Sequence, residues 1–351
     1  MKLALTYNVK EEGTAENVFG GVGLPEDILA EWDDMDTILS VMKALESKHG
    51  EGNVHLIEAN KDAYGKLREL NPDLVFNIAE GLHGESRESQ MPCVFELLGL
   101  PYTGSNPLTL ALCLNKARAK EILTFHGIAN AGFWLVNSVS EVDDVLKKID
   151  TASVGYPLMV KPIFEGSSKG VRDDSIVNSK SELEEKIKFV LNTYKQPVIV
   201  EEFLSGREFT VAMLGNGHTL RVLPIVEINY SALPAGVNHI YSYEAKWILD
   251  RPENPLDMFH CPADLTDELE MAISDTARSA FNVLGVRDWC RIDVRLDSKG
   301  VPSVIELNPL PGVLPDPTQN SCFPKAARAA GLDFNALINS VSDAAIERYG
   351  L

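Results

Sequence analysis

The sequence predicts an α/β and α+β protein, built from an N-terminal open parallel α/β domain, a small central α+β domain and a C-terminal antiparallel-sheet α+β domain. Three observations carry this. The first hundred residues alternate short apolar runs with helical patterns, Tyr156–Pro162 is an apolar strand that ends in a lysine ahead of a small-residue loop, and residues 291–308 form two alternating segments around a turn. The expected boundaries are 1–106, 107–200 and 201–351.

In the first domain, Leu3–Tyr7, Val54–Ile57 and Leu74–Ile78 are short apolar runs of the kind buried in parallel sheets. Between the first two, Asp36 is a candidate cap, Ile38, Val41, Met42 and Leu45 share a helical face, and Gly50 is a stop. Open α/β domains bind ligands beyond the carboxyl ends of their strands. Phe19–Gly23 is glycine-rich but lacks the Gly-x-Gly-x-x-Gly spacing, which argues against nicotinamide binding.

In the central domain, Asn106 and Pro107 offer a cap and a first-turn proline for a helix reaching His126, with Gly127 as its stop. Lys161 then ends a strand, and Glu165-Gly166-Ser167-Ser168-Lys169-Gly170 follows. Such a loop can wrap a polyphosphate with backbone N–H groups and two hydroxyls. No Gly-x-x-x-x-Gly-Lys-Ser/Thr string occurs, so a P-loop is excluded. Val198–Leu214 reads as two strands joined by a polar turn. Glu201, Glu202, Phe203 and Leu204 could read an adenine edge through their backbone groups while Glu208 accepts from ribose hydroxyls.

In the last domain, Arg291 and Asp293 share one face of a strand, and Glu306 and Asn308 do the same on the next. If Asp297–Gly300 closes a hairpin, Asp293 and Glu306 lie opposite or diagonal on a common face. Carboxylates that close repel unless a cation sits between them. Two carboxylates and an amide carbonyl are hard oxygen donors suited to Mg²⁺ holding a polyphosphate.

At 351 residues, with 45% hydrophobic and 24% charged residues, the chain is long enough for several cores and is not disordered. A net charge of -19 leaves no basic footprint for nucleic acid, and Lys116–Lys120 reads as helix surface. Against so acidic a background, individually placed lysines are informative. Five cysteines, without a Cys-x-x-Cys pair, fit reduced thiols in a cytoplasm. No membrane span or signal peptide is expected.

In order along the chain stand Lys116, Lys161-Pro162, Gly166–Ser168, Glu201 to Glu208, Tyr243-Glu-Ala-Lys246, Arg291-Ile-Asp293 and Glu306-Leu-Asn308 with Gly312. With Glu96–Gly104 and Gly206–Phe209, this succession resembles the ATP-grasp superfamily, and within it the D-alanine:D-alanine ligase family, over nearly the whole chain. The resemblance implies an ATP-grasp fold and a cytoplasmic enzyme that phosphorylates a carboxylate with ATP. An amine then attacks the acyl phosphate to form an amide, in the family a peptidoglycan precursor. It implies ATP and Mg²⁺, with Mn²⁺ as a substitute, small-molecule amino-acid substrates, no nucleic-acid or membrane partner, and a homodimer as one arrangement the family uses. Asp293, Glu306 and Asn308 would hold the metal, and Lys116, Lys161 and Lys246 would neutralise the phosphates. The Gly166–Ser168 loop and the Lys246 region would close over the intermediate and exclude water. Arg291 and a backbone N–H near Gly312 would steady the tetrahedral oxyanion. Glu31 would hold the amino group of the first substrate, and Ser321 would help bind the carboxylate of the second.

Three departures surround the amino-acid sites. Trp247 replaces the family's tyrosine and can donate but not accept a hydrogen bond. Glu80 stands where a histidine is expected, with His83 a little later. Val313–Ser321 is longer and richer in proline than the family's loop. The readings left open are a D-alanine:D-alanine ligase, a related ligase joining other amino acids or a hydroxy acid, and a nucleotide-binding sensor without catalysis.

Overall fold

The computed structural model describes residues 1–10, 27–152, 154–250 and 256–351, except for the side chain of Trp247. Phe19–Gly23 and the Trp247 indole thus lie outside the described residues.

The apolar runs of the first domain form a parallel sheet with Leu3–Tyr7 between Val54–Glu58 and Leu74–Asn77, Leu3 aligned with both Val54 and Leu74. The first described helix spans Met35–His49 and ends at Gly50, whose φ of 94° suits glycine. Asp36 is not its cap: Asp34 holds that position with extended backbone, and Asp36 lies in the first turn. The face carrying Ile38, Val41 and Leu45 packs against the C-terminal helix Phe334–Tyr349, where Asn339 Nδ2 donates to the Ala44 carbonyl at 2.8 Å. That apolar face is used within the chain and is not free for self-association.

The single helix expected from 106 to 126 is two, Pro107–Leu114 and Lys116–Phe125. Asn106 caps the first through Thr109 N–H at 2.9 Å. Asn115, with extended φ of −85° and ψ of 94°, ends it and caps the second through Arg118 N–H at 3.1 Å. On the second helix Lys116 and Lys120, one turn apart, point inward at 7% and 2% exposure, and only Arg118 behaves as the surface residue expected of this run.

The central sheet is antiparallel, in the order Phe133–Val136, Val198–Glu202, Leu158–Pro162, Ile176–Val177. Alternation sends Leu158, Val160, Val198 and Val200 into a core under the helices Val142–Thr151 and Lys180–Tyr194. The opposite face carries Met159, Lys161 and Glu201 toward a cleft. Val198–Glu202 and Glu208–Leu214 do not pair with each other. They belong to different sheets, and residues 203–207 carry the chain between them.

The third sheet has Glu208–Leu214 and Trp289–Leu296 at its centre, flanked by Val226–Ile228 and Pro302–Asn308. Val211, Ile292, Val294 and Leu307 pack with Ala277 and Phe281 of the helix Asp267–Val283 and with Leu123 of the helix Lys116–Phe125. Fully buried Trp289 meets Phe76 of the first domain and Phe323 edge-on at 5.9 and 5.8 Å. Next to it, buried Asp288 accepts from Gly104 N–H at 2.7 Å and from Arg348 at 2.7 and 3.0 Å, fastening the first domain and the last helix to this sheet.

Candidate active site

A cleft of about 410 Å³ is lined by both antiparallel sheets and by residues between the first strand and the helix Met35–His49. Its floor is the 289–308 hairpin. Asp297 Oδ1 accepts from the N–H groups of Lys299 and Val301, both at 2.8 Å, and closes the turn. Asp293 then pairs with Glu306 and Arg291 with Asn308, but Val294 pairs with Val304, so Ile305 is an extra residue in the second strand. This bulge keeps Val304 in the core while Glu306 and Asp293 face the cleft side by side.

Arg291 donates to Asp293 at 3.1 and 2.9 Å and lies 3.8 Å from Glu306. Asn308 is not in the cleft wall, and its amide donates to Asp293 Oδ2 at 3.2 Å. Burial raises the Asp293 pKa, and the neighbouring Glu306 charge adds to this. Burial would also raise that of Glu306, but Lys116, Lys161 and Arg291 outweigh it and hold this carboxyl at about 2. Among the described residues no group of three His, Cys, Asp or Glu forms a metal cage. The donor set is instead two adjacent carboxylates and an amide, and their chemistry fits a hard divalent cation shared with phosphate oxygens.

Above this floor stand the cations. Lys116 Nζ lies 3.5 Å from Glu306 and donates to the Glu165 carbonyl. Lys161 and Lys120 grip opposite oxygens of the buried Glu201 at 2.6 and 3.0 Å. Burial depresses the Lys120 pKa, while for Lys161 the attraction of Glu201 and Glu306 exceeds the burial penalty. Lys246 sits in a π-helical turn, Glu244–Leu249, and burial together with Arg291 lowers its pKa to about 8. Beyond Glu202 the chain leaves its sheet, so Phe203 and Leu204 line the cleft outside the ladder. Glu208 is bound by Arg295 at 2.9 Å, and that guanidinium lies over the Phe203 ring at 4.7 Å.

The loop from Glu165 to Gly170 covers one side. Ser167 and Ser168 take positive φ of 48° and 61°, an unusual conformation that turns successive backbone groups inward. Ser168 Oγ donates to the Tyr241 carbonyl at 2.8 Å and Tyr243 N–H to the Val171 carbonyl at 2.8 Å, tying the loop to the segment that carries Lys246. Gly166 N–H donates to Glu31 at 2.6 Å, and a Cβ at Gly166 would lie 2.8 Å from the same carboxylate.

Glu31 lines the cleft as expected, but its carboxylate is already engaged. Arg87 Nη2 lies 2.8 Å from both oxygens and Lys169 Nζ 2.8 Å from Oε2. Ser321, also in the cleft wall, donates to the Gly312 carbonyl at 3.2 Å. Glu80 departs from its expected place: it does not line the cleft, and burial with the charges of Glu88 and Glu31 raises its pKa well above the carboxylate range. Sequence reasoning passed over Lys120, Arg87, Lys169 and Arg295. Only Lys120 had a local signal, its spacing of four from Lys116.

Residues 122–342 match the family model described as the D-ala D-ala ligase C-terminus. A D-alanine–D-alanine ligase of Bordetella petrii is 33% identical over 294 residues, 84% of this chain and 82% of that protein. The chain belongs to the D-alanine–D-alanine ligase family. Two solved structures share its architecture. The D-alanine–D-alanine ligase from Bacillus anthracis complexed with ATP aligns with a TM-score of 0.69 at 20% identity, covering 100% of this chain and 99% of that one. The VanG D-Ala:D-Ser ligase from Enterococcus faecalis aligns with a TM-score of 0.70 at 22% identity, covering 98% and 99%. At such identities the likeness establishes the ATP-grasp fold. The D-alanine–D-alanine ligase family is one of ATP-dependent, ADP-forming ligases, and this chain is an enzyme of that class.

Proposed function

We propose that this enzyme joins two small amino acids through an acyl phosphate, with D-alanine as the first substrate to test. The observation that carries the reading is one arrangement: Lys116 beside Glu306, with Glu306 directly opposite Asp293, at the floor of a cleft whose other wall carries Lys161. Phosphoryl transfer needs positioning and charge neutralisation more than covalent help from the protein, and Lys116, Lys161 and Lys246, lining one cleft with the two carboxylates, supply both. Asp293, Glu306 and Asn308 would hold Mg²⁺, for which Mn²⁺ can substitute. When bound, the metal neutralises phosphate charge as a Lewis acid. Phe203 and Leu204 offer backbone groups to the adenine, while Glu201 and Glu202 end the strand beside it, and Glu208 is placed for the ribose. Lys161 and Lys116 take phosphate oxygens, and the Gly166–Ser168 loop excludes water from the acyl phosphate. Arg291 and the backbone near Gly312 steady the oxyanion when the amine attacks, and Ser321 binds the acceptor carboxylate.

Incubation with ATP, Mg²⁺ and D-alanine should release ADP and phosphate and give the dipeptide by mass. Active enzyme that makes no dipeptide rejects D-alanine as the pair of substrates.

A related specificity, for another amino acid or a hydroxy acid as acceptor, is favoured by the chain's departures at Trp247 and in Val313–Ser321, whose Leu314 and Ser321 line the cleft, whereas Glu80 lies outside it. A panel of D- and L-amino acids and 2-hydroxy acids, scored by ADP release, separates the two. The retained carboxylates and lysines weigh against a sensor without catalysis. Among the described residues no helix is long and apolar enough to cross a membrane. A homodimer, if formed, would use a surface other than the apolar face of the helix Met35–His49, which Phe334–Tyr349 covers.

A further inference from the structure

A continuous set of hydrogen bonds runs from the Gly166–Ser168 loop to the wall that carries Ser321, and Asp250 is its junction. Asp250 is the first residue beyond the π-helical turn of Lys246, and its N–H closes that turn on the Ala245 carbonyl at 3.0 Å. Its carboxylate accepts from the Tyr241 hydroxyl at 2.9 Å, from the Leu256 N–H at 2.9 Å, and from the Asn320 amide at 2.8 Å to each oxygen. The same amide donates to the Leu256 carbonyl at 3.0 Å.

Two of these partners lead to different parts of the cleft, and both line it. The Tyr241 carbonyl takes the Ser168 hydroxyl, so Tyr241 holds the Gly166–Ser168 loop with its backbone and Asp250 with its ring. Burial and the Asp250 charge push the Tyr241 phenol well above its ordinary pKa, which keeps it a donor. Asn320, 70 positions from Asp250, stands next to Ser321, whose hydroxyl reaches the Gly312 carbonyl across the 312–321 loop. The cover over the cleft and the loop that carries Ser321 thus share one half-buried carboxylate as anchor.

Transfer of the ATP γ-phosphoryl group to a carboxylate oxygen leaves ADP and an acyl phosphate, which has two fates. An amine attacks its carbonyl carbon, expels phosphate and forms the amide, or water attacks the same carbon and returns the amino acid and phosphate with no amide formed. Water is kept out while the cover is closed, and the acceptor amine is held while the 312–321 loop is in place. A common anchor makes these two conditions one state of the enzyme.

We propose that Asp250, through Tyr241 and Asn320, ties closure of the cleft to assembly of the acceptor site, so that the intermediate is shielded when the amine is bound. The assignment rests on the ligase reading. Asp250, Tyr241 and Asn320 are positioning residues.

The test counts ADP against amide. Wild-type enzyme with ATP and Mg²⁺ is first scored by ADP release to find a competent pair of amino acids, and the amide is then quantified by mass. Wild type should release about one ADP per amide. Asn320→Asp sets a like charge against Asp250, and should raise that ratio about threefold or more and the acceptor KM about tenfold, with KM for ATP changed by less than about twofold. Tyr241→Phe removes one bond without adding charge and should raise the ratio in the same direction, which keeps the proposal testable if melts show that Asn320→Asp does not fold. Asp250→Asn combined with Asn320→Asp faces an amide with a carboxylate again, and should bring the ratio and the acceptor KM back toward wild type. A wild-type ratio far above one, a ratio that stays near one in a folded single variant, a KM for ATP that rises as much as that of the acceptor, or a ratio that stays high in the swapped pair overturns the proposal while leaving the ligase reading intact. Wild-type enzyme that releases no ADP with any amino acid overturns the ligase reading and this proposal with it.

Discussion

Arg87 Nη2 sits 2.8 Å from both carboxylate oxygens of Glu31, 56 positions away in the chain, with the Glu31 side chain only 5% exposed. Burial alone would raise the Glu31 pKa from its ordinary 4.5, but Lys169 and Arg87 together hold it at about 2. Because the folded-state value is depressed, the stabilisation is fully present above the unfolded value and is lost as pH falls toward the folded one. Glu31→Gln should therefore cost about 3 kcal/mol near neutral pH. Urea unfolding across pH checks this. The gap between wild type and variant should be flat at neutral pH and narrow below 4.5; a gap that widens on acidification contradicts the ion pairs.

Asp293→Asn and Glu306→Gln should each reduce Mg²⁺-dependent ADP release by about a hundredfold or more, since each removes charge where the metal and phosphates meet. Asp293→Asn should melt near wild type, since burial raises the Asp293 pKa, whereas Glu306→Gln should lose about 3 kcal/mol near neutral pH, since Lys116, Lys161 and Arg291 hold the Glu306 pKa at about 2. Near-normal turnover in both variants would contradict the metal assignment.

The parts legible in the sequence were those governed by short-range periodicity. Alternation alone predicted that Asp293 and Glu306 share a face, and the register bears this out. It did not reveal the bulge at Ile305, because the Val304-Ile305-Glu306 run reads equally well without an extra residue. Asn115 was a readable cap hidden inside a continuous apolar pattern, and missing it left Lys120 on the surface. Arg87 and Lys169 were beyond reach for a different reason. Their partner Glu31 lies 56 and 138 positions away, Arg87 within the same domain and Lys169 across to the next, and no local spacing encodes contacts at that range.

Lys161→Ala should raise KM for ATP by about tenfold while changing the amino-acid KM little, since the lysine lines the cleft beside Glu201, on the wall proposed above to take the nucleotide. Stability should suffer less than the loss of a buried ion pair suggests, because Lys120 remains 3.0 Å from Glu201 and keeps that carboxylate paired. The double variant Lys120→Met/Lys161→Ala strips both cations and should be far less stable than either single change. Steady-state kinetics with each substrate varied, and melts of all three variants, read this out. An amino-acid KM that rises more than that for ATP would move Lys161 to the other substrate.

Lys246 should give the enzyme a pH limit on its alkaline side. Burial and the neighbouring Arg291 lower its pKa to about 8, with Cys322, Glu306 and Asp293 pulling the other way. In free enzyme the ammonium is thus lost as pH rises through about 8. Since kcat/KM reports free-enzyme ionisations, kcat/KM for ATP should fall above that pH. A bound triphosphate adds negative charge beside the lysine and raises its pKa, so kcat should hold its plateau further. Lys246→Arg, charged at every accessible pH, should remove the alkaline limb from kcat/KM even if its absolute rate is lower. A limb that persists unchanged in the arginine variant would place the titrating group elsewhere.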